Sequence, residues 1–548
     1  MQSMKEYRKQ LRELFRGSLL QVDCNRMDSI SKGILKLSAV DTERENCYDI
    51  GLTEDLCVWF TQCYNYLSVR FSTYADTPVN VTVSMSILSV ATNLARILRN
   101  ICSNNEQNQS LILKHEIPFY IIKLSMDKHL WAAGEMGWSE WFETFLQVSL
   151  QLIFNVLTNN EEAKHSVWPL FFPDCFNFLL KHFSHNTKIT TYTLAVLYNF
   201  VNDSASLPRL AEFTHTADSV NLLFARSLSE DYTDTSSEWI TYITRTILVA
   251  SSVPVIAVET NATPAETTTE TPTTTTPETT SKTTTDTTAD TTHCLFTSTL
   301  LSLRAPSFPL VSPAQVLFLF YCLKVCDTNT PTTLSQPAAF FLLHWLVDTV
   351  DRTDVLVTRG AVRVFDEAKL GADAEFPLKL LVEALGVCLT LVAGGIHQYT
   401  DQVLSLLMSD RLLELLLAVL AVPLITVPLA NPVVGDCGEK QGQPMITQQD
   451  DLWPFGTRDA VLQLLGNAVY GSRAAQDKLR EKGGIELVLN HTKMHPKHPL
   501  QREWALFTIR NLCADNVENQ KYISQFKEEA MDNNPALEKL GVKRDEQP

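Results

Sequence analysis

An asparagine recurs at one position of five apolar helical stretches, and its side-chain amide offers one hydrogen-bond acceptor and two donors. The five residues are Asn100, Asn155, Asn199, Asn467 and Asn511. Asparagine costs a helix interior roughly 0.5 kcal/mol relative to alanine, so its return at one phase indicates a shared task. Two tasks fit such an amide. In the first, it bonds one helical unit to the next or bonds the end of its own helix. In the second, it contacts the backbone of an extended peptide.

Three histidines form a second group with the chemistry to bind a ligand. His491, His495 and His498 lie in HTKMHPKH, and the first two would share one face of a helix, as zinc ligands often do. Pro496 ends such a helix, and no cysteine is close in sequence, so we expect no metal site. The chain also has no P-loop, no GxSxG and no HExxH motif. We therefore expect no catalysis and no cofactor.

The elements that position the asparagines repeat along the chain. RNICSNNEQNQ (99–109) returns as RNLCADNVENQ (510–520), with six of eleven positions identical. Asn155 and Asn199 are 44 residues apart, and so are Asn467 and Asn511. The longer step from Asn100 to Asn155 is interpreted as one unit with an insertion at 131–143. A period of about 40–47 residues is typical of armadillo and HEAT repeats, so the sequence predicts an all-α, armadillo/HEAT-like α-solenoid.

Apolar residues at helical spacing support this prediction. Ala505, Ile509 and Leu512 form one buried stripe in EWALFTIRNLC. Between Asn199 and Asn467 three apolar helical runs lack the asparagine, and we interpret them as degenerate repeats. They cover 313–326, 336–350 and 377–395.

Composition narrows the class of protein. A chain of 548 residues is too long for one core, since single cores stop growing at about 250–300 residues. Its formal net charge of −17 disfavours binding to nucleic acid and to anionic membrane surfaces. The 12 cysteines form no CxxC pair, which predicts buried thiols in a reducing compartment. The amino-terminal stretch lacks an apolar core, so we expect a cytoplasmic protein.

Two segments depart from the repeat pattern. Threonine fills 18 of the 30 residues of 263–292, a composition that cannot offset the entropy of ordering, so we predict a disordered insertion. Thr263, Thr271 and Thr276 precede proline, which leaves an inert spacer and a phosphorylated tether as alternatives. The uncharged run 415–435 is long enough to cross a bilayer, but three prolines interrupt it. We expect a buried helix that ends near Val422 and then an apolar loop, with a membrane span as the alternative.

The last hundred residues carry the most specific motifs. FGTRDAVLQLLGN, AAQDKLREKGGIELVL, HPLQREWA and IRNLCADNVENQ follow one another within 455–526. In this order they resemble the carboxy-terminal domain of the ataxin-10 family. The matching motif residues are Pro499, Glu503, Trp504, Arg510 and Asn511, whereas His498 stands where the family usually has asparagine.

The resemblance implies an armadillo-like scaffold without catalytic activity. It implies links to cell division, neurite outgrowth and cell survival, and a cytoplasmic, perinuclear, centrosomal or ciliary-base location. The expected partners are other proteins, and a homo-oligomer is left open. We expect Trp504 to be a core residue, and Arg99 and Arg510 to be solvated or to line a groove.

A receptor for extended peptides is the main alternative. Nuclear-import adaptors place a tryptophan four residues before such an asparagine. The corresponding residues here are Arg96, Gln151, Ala195, Gln463 and Phe507. The missing tryptophan array disfavours a nuclear-signal receptor.

These features predict five regions. They are amino-terminal armadillo-like repeats at 1–258, a disordered Thr/Pro-rich insertion at 259–293, degenerate repeats at 294–440, an ataxin-10-like domain at 441–530 and a flexible tail at 531–548.

Overall fold

A computed structural model describes most of the chain. The described residues are 3–73, 78–127, 139–225, 235–251, 294–305, 307–308, 311–326, 332–352, 355–358, 361–364, 375–421, 453–493 and 500–526. The threonine-rich tract, Pro499, His495, His498 and the predicted tail lie outside these residues, as do 128–138 and 422–452. The chain divides into two compact units, Met1–Phe341 and Leu342–Pro548.

The described part of the first unit is helical. Its helices are α1 (Met4–Leu14), α2 (Cys24–Leu37), α3 (Asp41–Asp49), α4 (Leu52–Thr73), α5 (Pro78–Ile101), α6 (Glu106–Lys114), α7 (Ile117–Ser125), α8 (Ser139–Leu157), α9 (Glu161–Phe171), α10 (Asp174–His182), α11 (Thr187–Val201), α12 (Leu207–His215), α13 (Ala217–Ala225), α14 (Thr235–Ala250), α15 (Leu295–Ser302) and α16 (Pro313–Cys326). Short 3-10 turns lie at Leu19–Gln21 and Ser204–Ser206. Helix α17 (Gln336–Arg352) contains the division between the units.

The helices of the first unit form successive three-helix repeats. Four complete repeats are α3–α4–α5, α6–α7–α8, α9–α10–α11 and α12–α13–α14. The third helix of each repeat packs on the third helix of the repeat before it, so α2, α5, α8, α11 and α14 form one ladder. Large apolar side chains such as Phe145 and Phe200 are fully buried between these helices. Stacking of this kind buries a core that no single repeat encloses alone.

The polar turn in the repeated phrase has a defined conformation. A left-handed residue is followed at once by an asparagine whose side chain caps the next helix. The pairs are Asn104 and Asn105, Asn159 and Asn160, and Asp515 and Asn516. Asn and Asp tolerate positive φ better than other non-glycine residues, and Asn is among the strongest helix caps. The "NN" and "DN" pairs in the sequence therefore mark where the helices after Asn105, Asn160 and Asn516 begin.

The second unit repeats the same design. It contains α18 (Glu375–Gly395), a 3-10 turn (Ile396–Gln398), α19 (Asp401–Leu407), α20 (Asp410–Leu420), α21 (Thr457–Ala468), α22 (Arg473–Glu481), α23 (Gly484–Asn490), α24 (Gln501–Cys513) and α25 (Val517–Ile523). The third helices α18, α21 and α24 pack in sequence. The prediction of an all-α helical-repeat fold is confirmed.

One short hairpin was not foreseen. Strands β1 (Val355–Thr358) and β2 (Ala361–Val364) pair antiparallel, with Val355 opposite Val364. They lie in the region 294–440, for which the sequence predicts only helical repeats. Their sequences, VLVT and AVRV, are rich in β-branched valine, and two residues ending in glycine separate them, which is a hairpin signal.

One described stretch, Leu380–Gln398, is long and apolar enough to cross a bilayer. Most of it is buried within the protein, as in the core helix of a soluble domain. The run 415–435 begins in α20, where Leu416 and Leu420 are fully buried, and its part beyond Ala421 lies outside the described residues.

Candidate protein-binding surface

The recurrent asparagines all lie on third helices, and three of them join neighbouring repeats. In each of these three, the side-chain Nδ2 donates to a backbone carbonyl of the preceding third helix. In each case the accepting carbonyl belongs to the residue that precedes the recurrent asparagine of that preceding helix. The three bonds run from Asn155 to Arg99 at 2.8 Å, from Asn199 to Phe154 at 2.9 Å and from Asn511 to Gly466 at 2.9 Å.

The other two asparagines bond locally. Asn467 donates to the carbonyl of Gln463 in its own helix at 2.8 Å, and Gln463 instead reaches the preceding third helix, donating to the Ala393 carbonyl at 3.0 Å. Asn100 accepts two bonds from the guanidinium of Arg99, at 3.0 and 2.9 Å. Each of these two residues is the first recurrent asparagine of its unit. The preceding third helix therefore has no recurrent asparagine at the matching position.

A glutamine on the first helix makes a second link, which the asparagine pattern in the sequence does not predict. Gln109 on α6 donates to the carbonyls of Asn155 and Thr158, at 2.9 and 3.2 Å, and accepts from Asn160 at 3.2 Å. It therefore holds the carboxy-terminal end of the third helix of its own repeat, α8, and the asparagine that caps the first helix of the next repeat, α9.

The second unit makes the same link. Gln476 on α22 donates to the carbonyls of Asn511 and Ala514, at 2.9 and 3.2 Å, and accepts from Asn516 at 3.0 Å. Both glutamines are buried and stand four residues after a helix-capping residue. This spacing was the available sequence signal.

Four aromatic side chains on the third helices of the first unit are only partly buried. We call Phe154 on α8, Tyr198 on α11, and Trp239 and Tyr242 on α14 the aromatic cluster. Trp239 is the centre: its ring lies 6.3 Å from Phe154, 5.5 Å from Tyr198 and 5.7 Å from Tyr242. Tyr242 is 44% exposed and the other three are partly exposed. The cluster thus presents a continuous aromatic surface across three repeats.

Two arginines lie on the third helix one repeat earlier. Arg96 and Arg99 are one turn apart on α5, and their described partners are uncharged: Arg96 bonds Asn93, and Arg99 bonds Asn100 and Gln151. Burial, then the neighbouring charge of Arg96, lowers the pKa of the Arg99 guanidinium from its ordinary value. The described residues give neither arginine a carboxylate within ion-pair distance, in a chain with a net charge of −17.

A cavity of about 260 Å³ opens beside Arg96, between α5 and α8. Its walls are Ser89, Thr92, Arg96, Glu140, Trp141 and Thr144. Trp141 is 48% exposed, so an indole face and a guanidinium border the same space. This combination suits a side chain with both an apolar and a polar part.

Two buried cysteines have thiols of low reactivity. All eleven are free thiols. Burial raises the pKa of Cys47 and of Cys175 to about 12, which leaves both thiols protonated at neutral pH. Among the described residues no group of three or more His, Cys, Asp or Glu side chains is placed to hold a metal ion.

Comparison with known proteins gives one match to the carboxy-terminal part of the chain and others over most of its length. Residues 457–548 match the model of the spinocerebellar ataxia type 10 protein domain. Ataxin-10 of Macaca fascicularis is 23% identical over 465 residues, 85% of this chain and 82% of that protein, and human Ataxin-10 is 22% identical over the same shares. The chain is thus similar to Ataxin-10 proteins over most of its length, and its residues 457–548 match their characteristic domain. The Ataxin-10 homolog of Dictyostelium discoideum is 45% identical over 87 residues, 16% of this chain and 14% of that protein.

The ataxin-10 domain contains the second unit's best-formed links. Gln476 and Asn511 both lie in it, as does the buried His491, whose Nδ1 lies 2.7 Å from the carbonyl oxygen of Leu487. Trp504 is half-buried on α24, with its ring edge-on to Phe507 at 5.6 Å.

Two other predicted motif residues lie on the surface of α24. Glu503 and Arg510 are both exposed. Only Asn511 among the family motif residues makes a described bond to the preceding third helix.

Proposed function

We propose that the chain is a non-catalytic scaffold that binds other proteins through the third helices of its first unit. The observation that carries the proposal is the aromatic cluster, which packs as an ordered group yet is left partly exposed. Phenylalanine, tyrosine and tryptophan bury 150–250 Å² each when fully covered, so such a group favours a partner that covers it.

Binding hot spots have the same composition. Tryptophan and tyrosine are enriched among residues whose truncation costs a complex about 2 kcal/mol or more. The asparagine bonds join α8 to α5 and α11 to α8, and α14 packs on α11, so the aromatic surface is ordered before a partner arrives. Rigid presentation lowers the entropic cost of association.

Similarity to Ataxin-10 proteins supports the cellular setting that we propose for this scaffold. We place it in the cytoplasm, with roles in cell division through cytokinesis, in cell survival, or at the centrosome and ciliary base. Self-association into a homo-oligomer is part of the same proposal.

A receptor for extended peptides is the second candidate. Asn155 and Asn199 use their Nδ2 groups between repeats, and no described residue donates to their Oδ1 atoms. Each amide therefore offers an acceptor to the N–H of a peptide backbone. Replacement of Asn155 and Asn199 by aspartate keeps the acceptor and removes the donor, so peptide capture that survives while stability falls would separate the two tasks.

Quantitative affinity purification tests the scaffold directly. Tagged full-length wild type is compared with Tyr242→Ala and with the double variant Trp239→Ala and Tyr242→Ala. The matched control removes two exposed aromatics elsewhere, Tyr48 and Tyr470. Partners retained by wild type and control but weakened at least about 30-fold by the double variant support the proposal, because the loss of about 2 kcal/mol at a single hot spot is already about 30-fold.

Equal recovery by all variants contradicts it. Thermal unfolding of each purified variant shows whether a lost partner reflects a lost surface or a lost fold, and Tyr242→Ala alone covers the case in which Trp239→Ala unfolds.

A further inference from the structure

We propose that the partner segment is an extended peptide with an acidic side chain bound by Arg96 and Arg99 and an apolar side chain seated on the aromatic cluster. This rests on the proposed function and names the chemistry of its ligand. The two contacts lie on one ladder of third helices, with the arginines on α5 and the cluster on α8, α11 and α14.

The arginine pair is a preformed site for an anion. Residues three apart on a helix are surface neighbours, so two positive charges are held together on α5. Their hydrogen-bond partners Asn93, Asn100 and Gln151 are neutral and orient the guanidinium groups without cancelling their charge. A carboxylate placed across both groups relieves the repulsion and forms charge-assisted bonds.

The described acidic residues near the arginine pair form no ion pair with it. Glu140 borders the cavity next to Arg96 and is exposed, with no described ion pair to it. Glu143, one turn further along α8, is occupied: its carboxylate lies 3.2 Å from His185 and accepts from Asn186 at 2.6 Å. On α14 the exposed charges are Glu238 and Arg245, one of each sign. The arginine pair is therefore the strongest cationic feature described on this face.

The distance between the two contacts sets the spacing in the ligand. Packed helices lie about 8–10 Å apart, so α5 is about 16–20 Å from α11 at the middle of the cluster. An extended chain advances about 3.3 Å per residue, which places the acidic and apolar side chains about five or six residues apart. A helical ligand would need about twelve residues for the same span, at 1.5 Å per residue.

A displayed library of random peptides of about 15 residues, long enough to span both contacts, provides the probe. It is selected in parallel on the full chain, on the double variant Arg96→Gln and Arg99→Gln, and on Trp239→Ala with Tyr242→Ala. The control Lys114→Gln with Lys181→Gln removes two positive charges from exposed positions on first and second helices. Sequencing reads the position of acidic and apolar residues in the enriched peptides.

The expected wild-type peptides contain an acid and an aromatic or large aliphatic residue about five or six positions apart. Selection on the arginine variant loses the acid but keeps the apolar residue, and the lysine control matches wild type. For a synthetic copy of the most enriched peptide, fluorescence anisotropy gives a Kd about tenfold weaker on the arginine variant. Replacing the acid by its amide weakens wild-type binding to the same degree and does not change binding to the variant.

Two negative results are distinguishable. Peptides that bind wild type and depend on Trp239 and Tyr242, but lack an acid or lack the spacing, overturn this inference and leave the scaffold standing. If no peptide depends on Trp239 and Tyr242, the inference and the proposed surface both fail. An arginine variant that unfolds is replaced by the single substitution Arg96→Gln, which leaves the Arg99–Gln151 bond in place.

Discussion

Replacement of Asn511 by alanine tests whether the asparagine ladder holds repeats together. Asn511 is 4% exposed, and its amide is bonded to the Gly466 carbonyl of the preceding third helix at 2.9 Å. Loss of the bond, with a buried carbonyl left unpaired, costs about 1–3 kcal/mol. Alanine is the better helix former by roughly 0.5 kcal/mol, which offsets part of that cost. We expect Asn511→Ala to lower the local free energy of unfolding by about 1–2 kcal/mol.

Asn467→Ala is the matched control, because it removes the same side chain from the neighbouring third helix. Its amide bonds only the Gln463 carbonyl of its own helix, so no link between repeats is lost. We expect the local free energy of unfolding to stay about the same, or to rise by up to roughly 0.5 kcal/mol because alanine is the better helix former.

Hydrogen exchange measured by mass spectrometry is the suitable assay, since two units make a single global unfolding free energy ill-defined. Peptides from Thr457–Ala468 and Gln501–Cys513 report α21 and α24 separately. Faster exchange of both helices in Asn511→Ala, and unchanged exchange in Asn467→Ala, agrees with the reasoning. Equal effects of the two substitutions, or no effect of Asn511→Ala, refute it.

Three further outcomes follow from the described contacts. Gln109→Ala lowers the local free energy of unfolding by about 2 kcal/mol because three hydrogen bonds of a buried side chain are lost. Gln520→Ala, at the twin position, removes one bond of an exposed side chain and has little effect; hydrogen exchange in the helices around each residue compares them. Gly466→Ala costs about 1–3 kcal/mol, since its Cβ would lie 2.7 Å from Oγ1 of the buried Thr508; equal exchange in variant and wild type contradicts this. A hydrogen bond from Asn516, then one from Arg473, lowers the pKa of Asp477 to about 2. Its stabilisation is present above the unfolded pKa of about 3.9 and is lost as pH falls towards 2, so Asp477→Asn should flatten that part of the pH profile of exchange in α22.

The repeat period and the helix starts were readable from the sequence. The 44-residue steps between asparagines follow from one three-helix unit, and the NN and DN pairs mark a left-handed turn and a cap because few other residues suit both positions. What the sequence could not supply was the register between helices about 45 residues apart. That register decides that Asn199 reaches Phe154 while Asn467 bonds within its own helix.

Other features were missed for physical reasons. Gln109 and Gln476 are compatible with any exposed helix surface, and only packing shows that they are buried links. Phe154, Tyr198 and Tyr242 also recur at 44-residue steps, a signal the asparagine pattern overshadowed. Because an aromatic residue at helical spacing usually enters the core, partial exposure of these three was not predictable from their positions.

Site-specific photo-cross-linking tests the central claim, that the aromatic cluster is the protein-binding surface. A benzophenone amino acid replaces Tyr242 in one full-length protein and Tyr48, an aromatic residue 39% exposed on α3, in another. We predict cross-linked partner proteins from position 242 that disappear when Trp239 is also changed to alanine or when excess unlabelled wild type competes. Cross-links of equal yield from position 48, or none from position 242, would contradict the account.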